Sequence, residues 1–485
     1  MFIKIIEAVK NQSLKNSEPI VVDLDGTLIY GDCLHEQLNR AIFFHPLILV
    51  SAIWQLLQGK AKFKEFLSKN LSIDVTLLPY NEELIAWLKE KKEEGRTLVL
   101  ATASNQELAR RISDHVGIFD AVHASNDLVN LKGKAKAQLL NQVYGQYEYI
   151  GNSGADLYVW QDAVKSYYVG KSQKIITALK GQQNFAGQFK ARGSEFKSFI
   201  RALRPHQWLK NILVFVPVVM AHQLSFYNLC STFIAFLLFC AIASAGYLIN
   251  DLSDVDSDRE NKHKKKRSFA SGAISLPFGW IVIPILLGSS LWVSFTYLPY
   301  QFACSVILYF ILTILYTKVL KGFPNIDVFT LAFLYILRIQ AGGYAVNISL
   351  SFWLITFSLF FFISLGMLKR FSELLEFNNF EAVLPGRAYK KNDAAFIESA
   401  GIASGYIAIA VLALYIKDLN ISNLYQSPQY IWFVCPVMLY WITRVWFLAQ
   451  RGELHHDPVY FAAKDHVSWL LTAIIALCFV MAKIY

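Results

Sequence analysis

Two kinds of hydrophobic pattern divide the chain near residue 198. Over residues 19–180, short apolar runs rich in β-branched residues alternate with polar stretches of helical character. VVDL at 21–24, TLVLAT at 97–102 and YEYIG at 147–151 read as strands buried on both faces, as in a parallel sheet. Polar helices over 81–94 and 105–115 lie between them, so the pattern predicts a doubly wound α/β domain over 19–180, after a tail at 1–18. One run differs. AIFFHPLILVSAIWQLL at 41–57 is apolar throughout, but 17 residues broken by His45-Pro46 are short for a membrane span. It predicts a small helical cap that can lie on a membrane surface. Residues 181–197, rich in Gly, Gln and Ser, read as a linker. Beyond 198 long apolar segments recur near 205–222, 229–250, 276–296, 300–318, 326–346, 351–369, 398–416, 429–448 and 466–484. They predict an all-α integral membrane bundle of nine transmembrane helices over 198–485. Most of the aromatic residues are expected to pack at lipid and interfacial positions.

Composition sharpens this reading. Of the 485 residues, 55% are hydrophobic and 17% charged, which excludes a disordered or fibrous chain and argues against an ordinary cytosolic enzyme. A formal net charge of +10 suggests nucleic acid, an anionic membrane or a phosphorylated substrate as partner. The apolar second half disfavours nucleic acid. The positive charge sits in alternate loops: Arg259 to Arg267, Lys318 and Lys321, Lys369 to Lys391, and Arg451 with Lys464. The intervening loops near 223–228, 297–300 and 347–350 carry no Lys or Arg. The positive-inside rule then places the N-terminal domain and the charged loops in the cytoplasm, in a cell inner membrane, with the C-terminus outside. The first residues contain no apolar run long enough for a signal peptide, which agrees with a cytosolic first domain. The six cysteines form no C-x-x-C pair and are expected to be small buried hydrophobes, not a disulfide or zinc framework.

Asp23-Leu24-Asp25-Gly26-Thr27-Leu28 follows directly on the first strand, where ligands bind in open α/β sheets. Of two carboxylates so close, one can act as nucleophile and the other as general acid, or both can hold magnesium through oxygen. Thr102 ends a second strand and can bind a phosphate oxygen, and Lys136 can neutralise phosphate charge. Asn152 and Asp156, after a third strand, can complete a magnesium site. This ordered set resembles the haloacid dehalogenase (HAD) phosphatase superfamily over about residues 19–180. The resemblance implies that Asp23 forms an aspartyl-phosphate and Asp25 protonates the leaving group. It implies further that Thr102 and Lys136 orient the phosphoryl group and that Asp156 supports magnesium. Asn152 stands where that family usually has Asp, which removes one negative charge. A degenerate, non-catalytic domain is the alternative.

A second cluster follows the second long apolar segment. Asn250, Asp254 and Asp258 are spaced i, i+4, i+8 and share one face of a continued helix, with Asp251 at its edge. Crowded carboxylates call for a cation, and magnesium commonly bridges such oxygens to substrate phosphates. The adjacent Arg259, Lys264 and Arg267 suit a diphosphate. The motif N-D-x-x-D-x-x-x-D resembles the UbiA superfamily of intramembrane prenyltransferases over about 198–485. The match extends to Arg204-Pro205 with Gln207, Trp208, Lys210 and Asn211, to Tyr316, Lys321, Pro324 and Asp327, to Leu337-Arg338 before Gly342-Gly343, and to Lys369-Arg370 before Glu373. These look like the branch that contains decaprenyl-phosphate phosphoribosyltransferase. The resemblance implies a polyprenyl phosphate or diphosphate and a phosphorylated co-substrate, phosphoribosyl diphosphate in that branch. Ser268 departs from the branch's usual Pro, and a second Asp-rich motif is not evident.

The residues allow both donors, because phosphoribosyl diphosphate and allylic diphosphates each lose diphosphate from a carbocation-like carbon. The extra 5-phosphate of the sugar donor calls for more cations, which Lys264 to Arg267, Lys321, Lys369 and Arg370 can supply. Arg338 lies about 12 residues into its span, roughly 18 Å deep at ~1.5 Å per residue, and so reads as a site residue. Lys369 and Glu373 can pair as helix neighbours. His455-His456-Asp457 and Asp465 read as a solvated loop, with the two aspartates able to face the same vestibule. The expected function is therefore a magnesium-dependent membrane transferase with an attached phosphatase that removes the 5-phosphate of the product. The rivals are prenyl transfer to an aromatic acceptor such as 4-hydroxybenzoate, and a lipid-binding or transport protein with a regulatory HAD-like module.

Overall fold

Six strands form one parallel sheet in the order β3-β2-β1-β4-β5-β6. They are β1 (Ile20–Val22), β2 (Leu98–Asn105), β3 (Ala121–Ser125), β4 (Glu148–Gly151), β5 (Lys165–Val169) and β6 (Phe185–Phe189). The protein is described from a computed structural model covering residues 18–126, 129–190, 194–376, 387–416, 425–454 and 457–484. Val21 and Val99 pack on one face with Tyr149 and Trp160. Ile20, Val22, Leu98 and Leu100 pack on the other with Leu108 and Ile112. Alternate residues of each strand thus serve opposite helical layers, which explains the unbroken apolar runs. The strand order reverses beside β1, and this switch point places Asp23, Thr102 and Gly151 at the same edge of the sheet.

Two features depart from the sequence reading here, the linker and two of the cysteines. The expected linker at 181–197 contains β6, whose alternating half-buried and exposed residues mark an edge strand. The apolar run 41–57 breaks at His45-Pro46, as its sequence suggests, between the helices Cys33–Phe44 and Pro46–Leu57. With Lys60–Asn70 these two build a cap on the small core of Ala41, Ala52, Phe63, Leu67 and Leu71. Leu47, Val50, Trp54 and Leu57 of Pro46–Leu57 point outward, 65–83% exposed. Of the cysteines, Cys230 and Cys304 are exposed on apolar helices, while Cys33, Cys240, Cys435 and Cys478 are buried.

Among the described residues eight helices, not nine, are long and apolar enough to cross a membrane. They are Phe226–Ser253, Leu276–Tyr297, Tyr300–Lys318, Ile326–Ala345, Phe352–Glu376, Lys391–Tyr415, Pro428–Gln450 and His466–Ile484. The expected first span at 205–222 is instead a 3-10 helix, Pro205–Phe215, followed by the short α-helix Val216–Met220. Pro217, inside the expected span, removes a backbone donor that a continuous α-helix would use. This segment packs closely on Ile326–Ala345, since a Cβ on Gly342 would lie 2.0 Å from the Val214 carbonyl oxygen. The chain divides into two compact units. One holds residues up to Ala202 with Leu248–Val282, and the other holds Leu203–Tyr247 with Ile283 onward.

Candidate active site

In the α/β unit the side chains named from sequence converge at the carboxyl edge of the sheet. Lys136 Nζ donates to Asp23 Oδ1 at 2.7 Å, and both side chains are buried. Asp25 accepts from the Cys33 amide at 2.8 Å and from Ser104 Oγ at 2.6 Å. Burial pushes the Asp23 carboxyl up to about 7, against the pull of Lys136 and with a further push from Asp156 and Asp25. Burial raises Asp25 as well, with Asp32 adding to the effect. Thr102 is fully buried, and its hydroxyl accepts from the Ser104 amide at 3.0 Å. Tyr149 OH bridges the centre, accepting from Lys136 at 3.0 Å and donating to Asp156 Oδ1 at 2.8 Å. The other oxygen of Asp156 accepts from the Ser153 amide and hydroxyl, each at 2.9 Å. One oxygen of Asp156 therefore serves the loop after β4 and the other the Tyr149 hydroxyl. Ser104 and Tyr149 were missed from sequence, because nothing in an isolated Ser or strand Tyr marks it as part of a polar centre.

Gly26 sits at φ +75, and a Cβ there would lie 2.0 Å from Asn152 Nδ2. Gly26→Ala is expected to displace Asn152 and to cost about 1–3 kcal/mol, read as a fall in the thermal unfolding midpoint. Unchanged unfolding would show that the loop yields freely.

The Asp-rich segment belongs to the same unit. Its helix ends at Ser253 and resumes over Val255–Glu260. Backbone bonds from Asp254 N to Asn250 O (3.0 Å) and from Asp258 N to Asp254 O (2.8 Å) keep the expected face through the break. Arg267 donates to Asp258 at 2.7 Å and to Asp251 at 3.3 Å. Burial nonetheless holds Asp258 above the ordinary carboxylate range. Asp254 is half-buried and has no arginine partner among the described residues; Ser253 Oγ donates to it at 3.0 Å. Asn250 is half-buried and Lys264 exposed. Arg259 was expected to bind substrate, but its guanidinium is engaged by Glu36 at 2.7 and 3.0 Å and by the Ala270 carbonyl. Ser268, where the resemblance led us to expect Pro, donates to the Ser198 carbonyl at 2.7 Å, a bond proline cannot make. Among the described residues no three His, Cys, Asp or Glu side chains converge as a preformed metal site. Magnesium bound through one or two carboxylates, waters and substrate phosphate needs no such cage.

Among its described residues the helical unit holds four charged centres. Arg338 is buried and, among the described residues, bonds only neutral groups: Asn211 Oδ1 at 2.9 Å, Tyr309 OH at 2.7 Å and the Leu334 carbonyl at 2.6 Å. Its guanidinium lies 4.6 Å from the centroid of the Tyr309 ring. At Asp457, Lys210 donates at 2.7 Å and Lys369 at 3.0 Å. Burial alone would raise this carboxyl, but the two lysines hold it far below the usual range. Lys369 thus pairs with Asp457, and not with Glu373 as the i, i+4 spacing also allowed. Arg370 was also expected to contact substrate, but its Nε bonds Asp327 at 2.6 Å, Nη1 bonds Glu373 at 2.6 Å and Nη2 bonds Tyr316 OH at 3.0 Å. Arg387 and Tyr389 join the same network. Arg204 stacks 4.9 Å from the Tyr247 ring centroid, and Lys321 is half-buried. Asp465 pairs with Arg444 at 2.7 Å, whereas His455 and His456 lie outside the described residues. Two largely apolar cavities, of about 400 and 380 Å³, share Phe361, Met438 and Ile475. Lys210 lines the second, so a cation meets an apolar slot.

A family model described as the UbiA prenyltransferase family matches residues 212–471. The chain belongs to the UbiA prenyltransferase family. It is thus a prenyltransferase-type transferase and a multi-pass membrane protein. An uncharacterized protein of Sinorhizobium fredii, y4nM, is 35% identical over 470 residues, 96% of this chain and 91% of that one. The likeness therefore runs through the α/β unit as well as the UbiA region. A decaprenyl-phosphate phosphoribosyltransferase of Corynebacterium glutamicum is 34% identical over 180 residues, 36% of this chain and 54% of that one. A solved structure of a UbiA homolog from Archaeoglobus fulgidus bound to GPP and Mg²⁺ aligns with 59% of this chain and 98% of its own, at 17% identity and a TM-score of 0.44.

Proposed function

We propose that the UbiA region transfers the phosphoribosyl group of phosphoribosyl diphosphate to a polyprenyl phosphate, and that the α/β domain then removes the 5-phosphate as a HAD-type phosphatase. The observation that carries the transfer is the cation surplus of the helical unit. Arg338 has no carboxylate partner among the described residues, and Lys210 and Lys369 share the single carboxylate of Asp457. Buried cations without carboxylates suit ligands that bring several phosphates. The likeness to decaprenyl-phosphate phosphoribosyltransferase supports the sugar donor. In the reaction a lipid phosphate oxygen bonds C1 of the ribose while the C1–O bond to diphosphate breaks, and diphosphate leaves with the electron pair. Magnesium, when bound, supplies charge neutralisation for that leaving group. Asn250, Asp251 and Asp254 would hold it, with Arg267 restraining Asp251 and Asp258. Lys210 and Lys369 orient the lipid phosphate, and the apolar cavities take its tail.

For the hydrolytic step the buried Asp23 attacks phosphorus, Lys136 and Thr102 hold the phosphoryl oxygens, and Asp25 gives a proton to the departing sugar oxygen. Water then cleaves the aspartyl-phosphate. Asp23, Asp25 and Asn152 would hold magnesium here. The basic loops favour an inner-membrane orientation with the α/β domain in the cytoplasm. Phe226 then begins on the opposite side, and the 205–220 segment makes the preceding crossing. At ~2.0 Å per 3-10 residue and ~1.5 Å per α residue it reaches roughly 30 Å. The outward apolar face of Pro46–Leu57 favours contact with the inner leaflet.

Purified full-length protein given labelled phosphoribosyl diphosphate, magnesium and polyprenyl phosphate is expected to yield labelled lipid. Asp254→Ala should lose it, and Asp23→Asn should accumulate the 5-phosphorylated form. The wild type making no labelled lipid, but alkylating 4-hydroxybenzoate with a prenyl diphosphate, would overturn the sugar-donor reading.

A further inference from the structure

A cavity of about 230 Å³ opens beside Asp25 and Asn152, and residues 259–276 form its second wall. These residues follow the Asp-rich helix, yet they belong to the same unit as the α/β domain. They are firmly held there. The Arg259–Glu36 pair is 6% exposed on each side. Gly272 sits at φ +70, and a Cβ on it would lie 2.8 Å from Tyr30 Cβ. Asn39 of the cap donates to the Leu252 carbonyl at 2.8 Å, and Trp280 Nε1 donates to Asn39 at 3.1 Å.

The lining selects a ligand class. Below ~300 Å³ the space is smaller than a drug-sized pocket and fits one sugar-sized group. Asp25, Asp32 and Glu36 line it, and its arginine is already engaged by Glu36. The oxygens of such a wall accept hydrogen bonds from hydroxyls. Ser275 and His35 add polar groups suited to a polyol. Phe269, Ile274 and Leu276 make the remaining side apolar, and Leu276 is the first residue of the candidate span Leu276–Tyr297. We propose that this cavity is the sugar subsite of the phosphatase centre, that segment 259–276 of the transferase region builds its wall, and that it takes a pentose-sized phosphate ester carried on a lipid. Ser275 and His35 determine its specificity, and Arg259 positions the wall through Glu36. The proposal deepens the hydrolytic reading and rests on it.

Two readouts on the full-length protein in detergent separate the two ideas. Acetyl phosphate, which needs little of the cavity, reports hydrolysis, and a wild type inert toward it would sink the phosphatase reading. Calorimetric titration of the turnover-blocked Asp25→Asn protein with ribose 5-phosphate reports the cavity. Saturable binding is expected, weakened at least tenfold when Ser275→Trp is added. A smaller, milder change, His35→Ala, should weaken it as well. Absent binding, or binding indifferent to both changes, would overturn the assignment. The 1-dodecylphosphate ester of ribose 5-phosphate tests the source of the ligand. It is expected to bind at least tenfold tighter than the free sugar phosphate, and equal affinity would reject the lipid-linked form.

Discussion

Replacing Asp327 with asparagine is expected to destabilise the helical unit by about 3–5 kcal/mol. Asp327 is fully buried and accepts from Arg370, Tyr389 and the Val328 amide. The network balances two carboxylates, Asp327 and Glu373, against two guanidiniums, Arg370 and Arg387. Asparagine keeps the shape and removes one negative charge, which leaves an uncompensated cation beside the fully buried Arg370. Desolvation of an ion is costly where no counter-charge repays it. The measurement is the unfolding midpoint of the full chain in detergent, followed by tryptophan fluorescence. Glu94→Gln provides the reference: its partner Lys91 lies 2.7 Å away on the exposed surface, where such pairs are worth about 0–1 kcal/mol. Adding Arg387→Met to Asp327→Asn should restore part of the loss, since the charges again balance. Equal midpoints for Asp327→Asn and Glu94→Gln would reject the argument.

Arg338→Met should reverse that relation, with transfer falling far more than stability. We expect a loss of at least 100-fold in kcat/KM for transfer, which corresponds to about 2.7 kcal/mol of transition-state stabilisation. The variant orphans no carboxylate, because the partners of Arg338 are an amide, a phenol and a carbonyl. The stability cost is then that of leaving Asn211 short of a donor, about 1–3 kcal/mol. Arg338→Lys keeps the charge but not the planar fork that reaches three partners, so it should recover only part of the rate. A methionine variant that transfers at the wild-type rate would make Arg338 a structural residue and remove the main support for the phosphate-rich substrate.

Much of the architecture was legible in the residues because its causes are local. Alternation of β-branched runs with polar helices marked β1, β2 and β4, and the DLDGTL run marked the edge where the site lies. The weaker strands escaped notice: β3 is only half-buried, and β6 is an edge strand in a Gly-rich stretch that carries little apolar signal. Eight of the expected spans appear as long helices, whereas 205–222 satisfies the hydropathy pattern without satisfying α-helical hydrogen bonding. Periodicity counts apolar residues and does not see that Pro217 interrupts the α-helical bonding and that the segment approaches Gly342 closely.

Sequence by itself determined which residue types are available at the sites and the family, because motif spacing and hydrophobic runs are written along the chain, whereas only folding groups Leu248–Val282 with the α/β unit. Only the tertiary structure decided which charges are free. The sequence reads Arg259, Arg338 and Arg370 alike as substrate-binding, yet Arg259 is held by Glu36 and Arg370 by Asp327 and Glu373, while Arg338 meets no carboxylate among the described residues. Glu36 stands 223 positions from Arg259, and no local pattern encodes a pairing across that separation. The work a buried charge can do depends on the neighbours that folding gives it, and those neighbours come from elsewhere in the chain.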